Sequence, residues 1–440
     1  MGIVRFRGGF RMYDGKDLTG ERTLTEFVPK GDAVYPVLQH IGVPAKPVVA
    51  VGDKVLVGQR IAEANGVVSA HIVSGVSGTV KAIEERPTAA GTMCESVVIE
   101  NDGMFTTVAG FGEKRDYTAC SKTEIRQLVR DAGVVGMGGV GFPTHVKLTP
   151  KGEDTIRYVI VNGTECEPYL TADECLMREH GGMLIDGLKI ILRLFDNAKG
   201  MIVVGEDKPG IIRALTEAVK EEERITIKKV KMVYPQGAER QIIKAATGRR
   251  INSSMLPADV GCVVHNAGTV LAVYRAVAES TPLVHRVVTV TGDGVEAPQN
   301  FLVRIGTSFA ELLEAAGGAK GEPELFLAGG PMRGIAISEL AVPITKTTAA
   351  LVVFLANEGA KLPVSPCIRC GRCISVCPGL LMPQKLMKYA EKIDKEGFLH
   401  NNGMECCECG SCSYICPAGR PLTQSFRKMR RSILDERRKR

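Results

Sequence analysis

A multidomain α/β protein is the fold class this sequence predicts, and three observations predict it. Strand-like and helix-like stretches alternate from Arg157 to Gly248, short β-branched runs separated by Gly, Asp and Pro fill Val34 to Gly112, and two runs of four cysteines close the chain. The alternation implies a parallel sheet with a ligand at the carboxyl ends of its strands. A length of 440 residues allows about three domains, and 45% hydrophobic with 24% charged residues is the balance of a folded soluble protein. The absence of Trp and an aromatic share of 5% argue against a nucleic-acid stacking platform. No apolar run approaches the roughly 18 residues of a membrane span, Ala349–Ala356 being about the best. Met1–Phe10 is charged and Gly-containing, so no signal peptide is expected. Most of the +7 net charge lies in a tail from Arg427 to Arg440, with eight cations against two acids. That tail reads either as a solvated helix end or as a contact for an acidic protein or anionic lipid.

In chain order, residues 1–33 show little regular pattern beyond the turn signals Gly8-Gly9 and Asp14-Gly15. Residues 34–112 read as a small all-β domain. Its phrases VVAVGDKVLVGQRIAEA and SGVSGTVKAIEER resemble the hammerhead (barrel-sandwich hybrid) of biotinyl and lipoyl domains. Those carriers present a modifiable Lys at a hairpin tip; the corresponding turn here, His71–Gly75, has none, which points to a packing role. Residues 113–284 form the α/β domain. A capping box, Ser121-Lys-Thr-Glu124, opens a helix through Asp131, with Gly133 just past its end. The loop that follows carries Gly136, Gly138, Gly139 and Gly141, whose missing side chains let backbone N–H groups approach a phosphate or flavin ring. Strand Arg157–Val161 then leads to a polar loop, Asn162–Pro168. Next come strand Met201–Gly205, a helix from Pro209 to about Glu223, strand Ile225–Tyr234 and helix Gln236–Thr247 closed by Gly248. His145 and His265 read as scaffold. Residues 285–361 hold strand Arg286–Thr291, a turn at Gly292-Asp293-Gly294 and helix Ser308–Ala316. In residues 362–440 a helical spacer, Pro383–Glu396, makes the cysteine region helical.

The cysteine runs carry the sharpest chemistry. They read Cys367-x2-Cys370-x2-Cys373-x3-Cys377-Pro378 and Cys406-x2-Cys409-x2-Cys412-x3-Cys416-Pro417. This is the double iron–sulfur spacing of bacterial ferredoxins, in which the fourth cysteine of each run ligates the other cluster. It predicts two [4Fe-4S] clusters, one on Cys367, Cys370, Cys373 and Cys416 and one on Cys406, Cys409, Cys412 and Cys377. Cys407 falls outside the count and is expected to be a spectator. Two zinc knuckles are the alternative, although zinc sites usually set two pairs far apart. The other cysteines are scattered, which fits a reducing cytoplasm. A phosphate-cradling domain joined to one-electron clusters argues for electron transfer, with a flavin between a two-electron nicotinamide and one-electron clusters.

On these residues the chain resembles the RnfC component of the Rnf complex, the membrane-bound, ion-translocating ferredoxin:NAD+ oxidoreductase. Its middle domain is similar to the FMN- and NADH-binding subunit of respiratory complex I. Gly136, Gly138, Gly139, Gly141, Phe142, Pro143 and Thr144 match that family's glycine loop, and Lys147 falls on its cofactor-contacting lysine. Asn162, Glu165, Glu167 and Pro168, then Tyr234, Gly237 and Glu239, then Asn266 and Thr269 match three further motifs. Met137, Ala238 and Gly268 depart from it. The resemblance implies noncovalent FMN and NAD(H) at the matched residues and a β-grasp-type ligand-binding unit at 285–361. It also implies other Rnf subunits as partners, ferredoxin reached through the complex, and peripheral attachment to the cytoplasmic face of the membrane. A soluble flavin/iron–sulfur reductase of the same family and a relay without nucleotide binding stay open as alternatives. The clusters, lying after about Lys361, are expected to form a module separable from the flavin domain.

Overall fold

Four parallel strands organise the middle of the molecule: Ile225–Val230, Lys199–Gly205, Tyr158–Gly163 and Cys262–Asn266, in that spatial order. This computed structural model describes residues 7–439; Met1–Phe6, where the expectation of no signal peptide begins, and Arg440 of the basic tail lie outside the described residues. Successive side chains of a strand face opposite ways. Val159, Val161, Ile202 and Val204 share one core with helices Gly181–Leu192 and Ala267–Ala278. Ile160, Val203 and Val230 share another with helix Glu239–Thr247. The chain leaves Tyr158–Gly163 towards Lys199–Gly205 and later returns on its other side as Cys262–Asn266. The winding therefore reverses between these two strands, and a crevice opens at their carboxyl ends, where Asn162 lies opposite Asn266.

The capping box at Ser121 and the left-handed cap at Gly248 stand as expected. The strand from Ile225 stops at Val230, four residues short of expectation, and the helix at Pro209 ends at Ala218. Strand Cys262–Asn266 and helices Ala172–Glu179, Gly181–Leu192 and Ala267–Ala278 were not expected from the sequence. Helix Ala267–Ala278 is buried almost all round, so it lacks the one-sided apolar stripe that marks a surface helix.

The β domain comprises a sheet of Ala33–Pro36, Met93–Asn101, Gly78–Pro87 and Lys54–Val55 and a second of Lys46–Pro47, Arg60–Glu63 and Ile72–Val73. His71–Gly75 is not an exposed tip: Ile72–Val73 is a strand, His71 and Ser74 are buried, and His71 Nδ1 accepts from the Ala64 N–H at 3.0 Å. Its packing role follows from that burial. The apolar core of this domain runs on into that of the α/β domain through Ile125, Val134 and Leu283.

Six strands form the next sheet, ordered Leu24–Phe27, Gln299–Arg304, His285–Thr291, Ala350–Phe354, Leu325–Ala328 and Ile335–Ile337, with helix Phe309–Ala315 packed against it. The edge strand corrects the expectation of an irregular N-terminal segment: Leu24 pairs with Asn300 across about 275 residues of chain, a partner no local pattern announces. The expected Pro383–Glu396 helix is also corrected. It is two helices, Pro383–Glu391 and Lys395–His400, broken at Ile393 (φ 56°), because the Asp394 side chain accepts from Gly397 N–H and starts the second helix anew. Helix Leu422–Lys439 buries Leu422, Phe426, Met429 and Ile433 against this pair. Among the described residues no helix is long and apolar enough to cross a membrane.

Two buried cations tie the domains together. Lys346 Nζ donates to Gly133 O at 2.7 Å and to His71 O, so the six-stranded sheet's domain grips both the β domain and the approach to the glycine loop. Arg286 donates to Lys346 O at 2.7 Å and to Met137 O at 2.8 Å. Gly141 sits in this junction at φ 70°, where an added Cβ would lie 2.8 Å from Thr347 and 3.0 Å from His40. Gly141→Ala should therefore lower stability by about 1–3 kcal/mol in urea unfolding. Gly139→Ala, with no heavy atom within 4 Å of its Cβ, should stay within about 0.5 kcal/mol of the parent.

Candidate functional site

At the reversal crevice lies a cavity of about 830 Å3, within the range of small-molecule and cofactor sites. Its glycine loop is held from behind. Gly136 N–H donates to Phe142 O at 2.8 Å, closing the loop, and Met137 N–H donates to Thr269 Oγ1 at 2.9 Å. Gly138 and Gly139 are exposed and line the cavity, whereas Gly136, Gly141, Phe142 and Thr269 do not. An added Cβ at Gly138 would lie 3.0 Å from Asn266 Cβ, so the loop and the Asn266 strand end approach closely there. The four glycines thus divide into two that open the cavity and two that shape or pack the loop.

Asn162, Glu165, Glu167, Tyr234, Gly237 and Asn266 all border this space. Asn162 Nδ2 donates to Gly237 O at 2.9 Å, locking two of the sequence motifs together. The carboxylates already have partners. Glu165 caps helix Ala172–Glu179, accepting from Asp173 N–H at 2.8 Å and Glu174 N–H at 3.0 Å, and Lys16 Nζ lies 4.0 Å away. Glu167 Oε1 accepts from Met332 N–H at 2.8 Å and Arg333 N–H at 3.0 Å. Burial pushes both carboxyls above their usual range. Lys147 and Glu239 do not border the cavity; Lys147 Nζ donates to Val264 O at 2.8 Å and pairs with Glu239 at 3.2 Å. His265 is buried and lowered by burial to about 3, a neutral scaffold ring.

Several cavity residues are not signalled by the motifs. Asp173 accepts a hydrogen bond from Asn266 Nδ2. Gln39 and His40 enter from the β domain, and Gly329, Gly330 and Arg333 from the six-stranded sheet's domain. One signal was available for the last three: Gly329-Gly330-Pro-Met-Arg-Gly334 has three glycines in six residues, against four in the first loop. Its glycines are needed, since a Cβ at Gly330 would lie 2.3 Å from Glu167 Cγ and one at Gly334 2.4 Å from Gly330 O.

The cysteine runs meet the cavity asymmetrically. Cys407 and Cys409 form part of its wall. Tyr234 Oη donates to Cys409 O at 2.6 Å, and a Cβ at Gly410 would lie 2.9 Å from Met332 O, so two cavity loops clamp the second run. Arg240 pairs with Glu405 at 2.8 Å, and Phe10 stacks on Tyr414 at 5.2 Å. The cysteine region thus packs against the flavin-domain loops and completes the cavity wall. Burial pushes the Cys406 and Cys412 thiols up to about 12, with Cys409 and Cys377 close enough to add repulsion. The first run lines a separate cavity of about 440 Å3, where Cys367, Cys370 and Cys373 are joined by Cys416 from the second run. Cys367 and Cys370 are exposed. Three soft thiol donors from one run and one from the other, around a space of this size, fit a polynuclear iron–sulfur group. The open glycine edge and polar wall of the larger cavity fit a flavin mononucleotide.

These features define a flavin- and iron–sulfur-binding electron-transfer protein. Residues 4–104 match the RnfC barrel sandwich hybrid domain, 129–275 the Nuo51 FMN-binding domain, 287–336 the SLBB domain and 361–417 the 4Fe-4S dicluster domain. The chain is 40% identical over 438 residues to the C subunit of the Na(+)-translocating ferredoxin:NAD(+) oxidoreductase complex of Acetobacterium woodii, covering 99% of this chain and 98% of that one. It is 40% identical over 391 residues to the proton-translocating counterpart of Clostridium ljungdahlii, covering 89% and 85%. The protein belongs to the RnfC family, the C subunits of these ion-translocating oxidoreductase complexes. An NAD+-reducing [NiFe]-hydrogenase shares the fold over 74% of this chain and 65% of that one, with a TM-score of 0.52 and 20% identity.

Tyr234→Phe removes the donor to a buried carbonyl in the wall between the cavity and the second run. It should cost about 1–3 kcal/mol in urea unfolding. Iron loss during anaerobic dialysis should be faster from this variant than from the parent.

Proposed function

We propose that this chain is the nicotinamide-side subunit of an Rnf complex. It exchanges electrons between NAD(H) and ferredoxin through FMN and two [4Fe-4S] clusters, while the complex moves Na+ or H+. The observation that carries this reading is the second cysteine run standing in the wall of the glycine-loop cavity. When bound, the flavin would take two electrons from a nicotinamide and release them singly to the clusters. Gly138, Gly139, Asn162, Gly237 and Asn266 would hold it, with Gly136, Gly141, Phe142 and Thr269 keeping the loop in shape. Glu165 and Glu167 fix the walls against which the nicotinamide enters. Lys147 and Glu239 are assigned to the outer nucleotide by resemblance alone.

Cys377, Cys406, Cys409 and Cys412 hold the cluster beside the cavity, and Cys367, Cys370, Cys373 and Cys416 hold the outer one. Electrons therefore cross the chain from cavity to second run to first run to surface. Two relatives at 40% identity carry names with different ions, which supports placing the choice of ion in other subunits. Partner subunits would hold the chain at the cytoplasmic face of the membrane.

Heating or acid should release free FMN, measured by fluorescence and chromatography; FAD or a covalently retained flavin would contradict the assignment. Cys412→Ser and Cys416→Ser should each lower iron from about eight to about four per chain. After mixing with NADH, Cys416→Ser should still show a reduced cluster by EPR. Cys412→Ser should leave its remaining, outer cluster oxidised, and the reverse pattern would overturn the order.

A further inference from the structure

We propose that the face around Cys367 and Cys370 is a docking site for an acidic electron-transfer protein that exchanges single electrons with this chain there. The proposal rests on the function above and adds the partner's chemistry. From Gly359 to Ala390 the sequence contains no Asp or Glu. Arg369, Arg372, Lys385 and Lys388 all line the cavity that holds Cys367, Cys370, Cys373 and Cys416. None of the four makes an ion pair among the described residues. The fifth cation of the lining, Arg420, is paired with Glu391. Apolar side chains line the same cavity: Ile368 is 67% exposed, Met382 46% and Ile374 36%.

Acids stand much closer to the second run. Arg427 and Arg430 near it both pair with Glu408, and Arg240 pairs with Glu405. Three cations beside the second run are thus neutralised, although Arg333 and Arg431 on the wall of the larger cavity are not, and four are left free around the outward-facing first run. Free cations around an apolar centre match the usual plan of an interface, in which rim charges steer an oppositely charged partner and the centre packs dry. The exposed thiols at the middle fix the partner's class. A one-electron centre behind an acidic face can exchange with the outer cluster, and an anionic membrane surface cannot. In the exchange one centre loses an electron and the other gains it; no bond is made or broken and no proton moves.

The test uses the full-length holoprotein with plant-type [2Fe-2S] ferredoxin as the acidic probe and cytochrome c as a basic one. Vesicles containing about one-third phosphatidylserine serve as the lipid arm. Binding to ferredoxin should be measurable at about 20 mM salt and much weaker at about 200 mM. Lys385→Glu/Lys388→Glu lies on a helix outside both cysteine loops and should weaken binding at least about tenfold. Lys46→Glu/Lys54→Glu on the β domain should not. Iron content checks that the variants are loaded. Zero-length cross-linking of the unmodified protein, which needs no variant, should join Lys385 or Lys388 to ferredoxin carboxylates. Equal binding by the Lys385/Lys388 variant, equal binding of cytochrome c, or cross-links mapping elsewhere would overturn the proposal. So would vesicle binding that the variant loses while ferredoxin fails to bind. Flavin bleaching by NADH is read in the same samples. Its failure would strike the proposed function and leave the docking result to stand by itself.

Discussion

Backbone carbonyls buried where several domains meet need donors, and in this protein three buried cations supply them. Lys346 serves Gly133 and His71, Arg286 serves Met137 and Lys346, and Lys16 serves Glu165 and Leu170. An unpaired buried carbonyl costs as much as a lost hydrogen bond, so each cation makes one relative placement of its domains favourable. Little water reaches Lys346 and Arg286, which are both buried, and that burial lowers Lys346 to about 7 and Arg286 to about 10. Their targets flank the glycine loop, and the cavity exists because that loop cannot drift away from the domains that face it.

The cavity is accordingly composite. The parallel sheet supplies its floor, the β domain supplies Gln39 and His40, the six-stranded sheet supplies Gly330 and Arg333, and the second cysteine run closes it. Glu167 shows the cost of such an arrangement, since a carboxylate in a polar loop spends its acceptor capacity on the backbone of another domain. Electron transfer needs short separations between centres, and the Tyr234–Cys409 hydrogen bond brings the cysteine loop to the cavity directly. The first run, carried on the same helical unit, is left at the surface.

Legibility in the sequence tracks the range of the interaction. The cysteine spacings, the Ser121 capping box and the Gly248 cap are settled within a few residues and can be read directly. The crossing of Cys416 to the first run is readable because the motif itself encodes it. Strand Leu24–Phe27 is not, since its partner lies far along the chain, and neither is helix Ala267–Ala278, which is buried on nearly every side. Among the site residues, Gly138, Gly139, Asn162 and Asn266 are found through their loops. The roles of Glu165 and Glu167 as backbone acceptors are not, because a carboxylate's sequence position does not say which N–H groups it will meet, and those of Glu167 lie about 165 residues away.

Anomalous diffraction at the iron edge from crystals of the anaerobically purified protein would decide whether cavity and clusters are arranged as inferred. The expected map has flavin density between Gly139 and Tyr234 and one iron peak beside it among Cys377, Cys406, Cys409 and Cys412. A second peak should lie farther out, among Cys367, Cys370, Cys373 and Cys416. Flavin density outside that cavity, or an iron peak at the first run lying nearer to the flavin than the one at the second, would contradict it.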